Sequence, residues 1–99
     1  MAAIRFRGGG WSAIVEGQDL TLLVGRLQLA GDAWALGHQI EQRIASGGEF
    51  ARELTLTKSD KRALLSCLRM LQSSGKFKVS PALRRLTEAL DEDLSAYET

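Results

Sequence analysis

Ninety-nine residues with 44% hydrophobic and 25% charged side chains and a net charge of +1 describe an ordinary globular chain. That composition argues against a disordered chain and against two independent cores, and the near-neutral total says nothing strong about partners. One cysteine, Cys67, excludes an internal disulfide framework.

Ile4-Arg5-Phe6-Arg7 alternates apolar and basic, the period of a half-buried strand. Gly8-Gly9-Gly10 follows as a turn, since glycine adopts positive φ at little cost. Trp11 to Val15, aromatic and β-branched, reads as a second strand paired with the first. After Gly17-Gln18, Asp19 is placed to cap a helix. Its apolar face is Leu20, Leu23, Val24 and Leu27, at i, i+3, i+4 and i+7, while Leu22 and Leu29 lie off that face.

Gly31 stops this helix and Asp32 opens the next, whose stripe is Ala33, Leu36, Ile40 and Ile44 and which ends at Ser46-Gly47-Gly48. Arg52 to Leu56 reads as a third strand. Thr57-Lys58-Ser59-Asp60 has the spacing of a capping box. The helix it starts runs to Ser73 with Leu64, Cys67, Leu68 and Leu71 inward, and Ser74-Gly75 ends it. After the Lys76 to Val79 connector, Ser80-Pro81 opens the last helix, serine as cap and proline at the first helical position. Its stripe, Leu83, Leu86, Leu90, Leu94 and Tyr97, is the longest in the chain.

The expected fold is therefore α+β: one domain over 1–99, with a small, mostly antiparallel three-stranded sheet and four helices. The order β-(βαα)-(βαα) also predicts a duplicated βαα unit over 11–47 and 52–97. In it Asp19 matches Asp60, Leu23 matches Leu64, Val24 matches Leu65 and Leu27 matches Leu68. Further on, Ile40 matches Leu86 and Ile44 matches Leu90.

No catalytic, metal or cofactor motif emerges. His38, the single histidine, has Glu41 three residues on, within reach on a helix. One histidine without further nearby ligands makes a poor metal site. The glycines lack the lysine and hydroxyl residue of a phosphate-binding loop. Cys67 lies among leucines and reads as a small buried hydrophobe. No apolar run approaches the roughly 18 residues of a membrane span, so no membrane partner is expected, and a cytoplasmic location is.

Charge is segregated. From Lys58 to Arg85 there are eight basic residues and one acid; from Glu88 to Glu98 there are five acids and no base. Lys58, Lys61, Arg62 and Arg69 are expected on the solvent side of their helix, opposite Leu64 and Leu68. Two functions follow as expectations. The first is a small, non-enzymatic protein-interaction or regulatory module without a cofactor. Its partner is another protein or a second copy, and its interface is Trp34 with the stripe Leu83, Leu86, Leu90, Leu94 and Tyr97. The alternative is a nucleic-acid-binding protein that neutralises phosphates with Lys58, Lys61, Arg62, Arg69, Lys76 and Lys78. It requires that the acidic last helix not neutralise those charges first.

Overall fold

Two strands joined by the Gly9-Gly10 turn begin the chain: β1 over Ala3–Gly8 and β2 over Trp11–Glu16. The structure, a computed structural model, describes residues 3–29, 31, 33–45, 53–75 and 80–98, without the side chains of Tyr97 and Glu98. Gly10 has φ 89°, a left-handed value that favours glycine, and lets the chain reverse within two residues. Gly17, at φ 60°, turns the chain from β2 directly into α1, Gly17–Leu29. Then come α2 (Trp34–Ala45), β3 (Glu53–Thr55), α3 (Lys58–Ser73) and α4 (Pro81–Glu98).

The sheet order is β2-β1-β3, with β1 antiparallel to β2 and parallel to β3. The fold is α+β as expected, but the sheet is mixed rather than mostly antiparallel. The cause is the helical hairpin between β2 and β3. Gly37 of α2 faces Leu27 and Gln28 of α1, while Ile44, two turns further on, lines one pocket with Leu20, Thr21 and Val24, so the two helices run antiparallel. They return the chain to the end of the sheet where β2 finished. From there β3 can only run opposite to β2, and so parallel to β1.

Alternation along the strands sorts the two faces. Ile4, Phe6, Val15 and Leu54 point inward and are buried, with Ala13 beside them. Arg5, Arg7, Ser12, Ile14, Glu16 and Thr55 point outward and are exposed, and Arg7 Nε meets Glu53 Oε1 at 3.0 Å across the β1–β3 pair. All four helices lie on the inner face and add Leu20, Leu23, Leu27, Ile40, Leu64, Leu68, Leu83, Leu86 and Leu90 to one core. Each such side chain stabilises the fold by about 1.5–3 kcal/mol on burial.

Helix ends follow local chemistry. Thr57 Oγ1 accepts from the Asp60 amide and Asp60 accepts from the Thr57 amide, both at 3.1 Å, the reciprocal box expected from the spacing. Ser80 Oγ accepts from the Leu83 amide at 3.2 Å and Pro81 occupies the first turn of α4. Asp19 departs from expectation. It lies inside the first turn of α1 rather than at its cap, and its Oδ2 accepts from Ser80 Oγ at 2.8 Å. The start of α1 is thereby tied to the start of α4.

Helix α1 packs on α2, α3 on α4, and α1 on α3; α2 reaches β1 and β3, and α4 reaches β2. Strands β2 and β3 flank β1 in opposite directions, the placement a two-fold axis normal to the sheet would produce. In the two βαα segments the matched Leu23 and Leu64 share full burial, both at 0%, whereas Ile44 is half-buried and its match Leu90 fully buried. Their matched aspartates do different work, since Asp60 caps a helix and Asp19 holds Ser80. Asp32, Arg52 and the 46–48 helix stop lie outside the described residues.

Candidate functional site

Three places hold the side chains that composition and pattern single out. The first is the exposed start of α2. Trp34 sits in its first turn, 52% exposed. Helical spacing puts His38 one turn on, and the two rings stack with centroids 5.1 Å apart and planes 7° from parallel. Leu29, the last residue of α1, is 78% exposed just across the turn. The indole lies flat on the imidazole and remains open to solvent. Glu41 accepts from Gln28 and not from His38, so the His–Glu spacing does not become an acid–base couple here.

The second place is a polar node within the apolar core. Lys61, expected on the solvent side of α3, is instead 3% exposed, and its Nζ lies 2.8 Å from Asp93 Oδ2 on α4. The Trp11 indole N–H donates to the same oxygen at 2.6 Å. The Lys61 hydrogen bond, supported by those from Trp11 and the Gly9 backbone, holds the Asp93 carboxyl below its ordinary range; burial pulls the other way. One carboxylate thus joins α3, α4 and the β1–β2 hairpin. The burial of Lys61 has a geometric cause. It lies one turn before Leu64 and two before Leu68, on their face of the helix. A lysine is accommodated there because an acid from α4 meets it.

The third place is the α3–α4 groove, about 250 Å³, lined by Arg62, Ser66, Arg69, Asp91 and Ser95 over Leu65 and Leu94. Arg69 Nη2 pairs with Asp91 Oδ1 at 2.7 Å, both side chains well exposed. The basic and acidic blocks therefore meet within one molecule, at Lys61–Asp93 and Arg69–Asp91. Lys58 and Arg62 are exposed, while Lys76 and Lys78 lie outside the described residues.

The leucine stripe of α4 also needs correction as an interface. Leu83, Leu86 and Leu90 are fully buried and Leu94 is 9% exposed, all within the core. The stripe contacts the rest of its own chain because α4 must cover both α3 and β2. The side chain of Tyr97 lies outside the description. Cys67 is buried, which pushes its thiol up to about 11, with Arg26 pulling weakly downward. Among the described residues no three His, Cys, Asp or Glu side chains group so as to hold a metal, and no helix is long and apolar enough to cross a membrane.

Pattern reasoning missed Asp93 as a buried acceptor and His38 as a stacking partner. The i, i+4 spacing of Trp34 and His38 was a usable signal. The Lys61–Asp93 contact had none, because it joins residues far apart in the chain. Comparison with protein-family models, curated proteins and solved structures finds no match for this chain.

Proposed function

We propose that this protein is a small, non-enzymatic module that binds another protein, with Trp34 as its anchor. The observation that carries the reading is the half-exposed Trp34 ring held flat against His38. An aromatic fixed before association loses little conformational entropy on binding and gains a large contact area, which is why tryptophan is enriched among binding hot spots. Exposed Leu29 supports the reading by adding apolar surface at the same end of the α1–α2 hairpin.

The nucleic-acid reading has less support. Lys61 is enclosed, and Arg69 already faces a carboxylate, so phosphate would compete with Asp91 there.

The test compares wild-type protein, Trp34→Ala and Arg84→Ala, a control on the exposed side of α4, as baits in the native cell. A partner held by wild type and Arg84→Ala but reduced at least tenfold by Trp34→Ala is expected, equivalent to about 1.4 kcal/mol or more. The same partners at the same yield with all three baits would refute the anchor.

A further inference from the structure

Strand β2 forms one edge of the sheet, and no strand lies on its far side among the described residues. Natural edges are usually blunted by lysine, proline, a bulge or shortness. Trp11-Ser12-Ala13-Ile14-Val15-Glu16 has none of these. It is six residues long, pairs with β1 without interruption from Gly8↔Trp11 to Ala3↔Glu16, and carries one charge, at its end.

Its open side is defined by hairpin geometry. A two-residue turn closes on a hydrogen-bonded pair, here Gly8↔Trp11, and such pairs alternate along an antiparallel ladder. Ala13 and Val15 therefore bond inward to Phe6 and Ile4. Ser12, Ile14 and Glu16 direct their amides and carbonyls outward. Their side chains stand on the uncovered face of the sheet, where Ile14 is 50% exposed.

We propose that two copies of this chain pair through β2, antiparallel and centred on Ile14, to make one continuous sheet from two three-stranded ones. In that register the outward groups of the two edges face one another. Ile14 stands opposite Ile14 of the second copy, and Ser12 opposite Glu16, hydroxyl against carboxylate. On the inner face Ala13 stands opposite Val15. No like charges meet, and two exposed isoleucines cover each other, so the edge is complementary to itself as a two-fold contact requires. Helix α4 packs on β2 from the inner face. Its α3 side is marked by Thr87 and Asp91, which meet Gln72 and Arg69. Helical phase puts Ala82, Ala89 and Ala96 on the other side, with Asp93 and β2, so α4 meets the inner face of its own β2 through short side chains and leaves the outward groups of the strand to the second copy. Helix α2, with Trp34, packs on β1 and β3. The β2 contact thus stands apart from the function proposed above.

The test begins with sedimentation velocity of the wild-type chain from roughly 1 to 500 μM, the range where a modest interface associates. A rise from monomer to twice the 10.8 kDa chain mass is expected. Ile14→Lys, which sets two ammonium groups opposite one another, should raise the dissociation constant on the order of tenfold or more. Its circular dichroism should be unchanged, because Ile14 is exposed. Register is read by air oxidation of variants that each add one cysteine, the native Cys67 being enclosed. Opposed Ile14→Cys residues would have Cα atoms about 5.5 Å apart, within disulfide reach. Two Ser12→Cys residues would lie about 14 Å apart. Cross-linking of Ile14→Cys and not Ser12→Cys supports the pairing. A wild-type monomer throughout the series, a folded Ile14→Lys dimer of undiminished affinity, or equal cross-linking of both variants would overturn it.

Discussion

Replacing Asp93 with alanine tests whether one carboxylate organises the core. In the folded protein its Oδ2 lies 2.8 Å from the Lys61 ammonium and 2.6 Å from the Trp11 indole nitrogen, with Lys61 and Asp93 side chains 3% and 9% exposed. Asp93→Ala leaves the enclosed ammonium without this counter-charge and the indole N–H without this acceptor. Removing one partner of a buried pair costs about 3–5 kcal/mol. Against a total stability of about 5–15 kcal/mol, that is a large fraction. At about 4–8 °C per kcal/mol for a domain of this size, the melting temperature should fall by on the order of 20 °C. Urea unfolding followed by circular dichroism and tryptophan emission measures the loss. The double variant Lys61→Met, Asp93→Leu should recover most of it, since apolar replacement of a whole buried pair is often neutral or better. A loss below about 1 kcal/mol for Asp93→Ala, the scale of an exposed pair, would refute the reasoning.

The same carboxylate predicts a pH response. Its folded pKa is depressed, so its contribution to stability is present above the unfolded value of about 3.9 and is lost as pH falls through the folded value. Stability of the wild type should decline below about pH 4, and Asp93→Ala should decline less steeply there in acid titrations at fixed urea. Gly8→Ala should destabilise by about 1–3 kcal/mol, because a Cβ there would lie 2.2 Å from the Trp11 ring. Gly9→Ala, whose Cβ would meet nothing within 4 Å, is the control, and equal melting temperatures for both variants would contradict the packing. Cys67 should react with a thiol reagent only as the protein opens, since it is enclosed and its thiol is pushed up to about 11. Labelling in native buffer at the rate of a free cysteine would be inconsistent with that placement.

Much of the architecture was legible from local pattern. Asp60 three residues beyond Thr57, and Pro81 directly after Ser80, announce two helix starts because capping involves neighbours in sequence. Ile4 and Phe6 alternating with Arg5 and Arg7 announce one buried and one wet sheet face, because strand side chains alternate. The 3.6-residue period likewise located Leu23, Leu64 and Leu86 in the core. The function was less legible, since the long α4 stripe looks the same whether it covers its own chain or another.

What only tertiary structure decided involves groups distant in the chain. The parallel pairing of β3 with β1 depends on where the α1–α2 hairpin returns the chain, a matter of helix packing. Asp19 could be read as a cap until Ser80, sixty-one residues away, supplied its partner. Lys61 already lies on the Leu64–Leu68 face of α3, but the carboxylate that meets it there, Asp93, arrives only when α4 lies against α3. Periodicity shows which face of an element is apolar. Which charge will meet which is set by packing, because a lysine can be enclosed only where another element brings it a carboxylate.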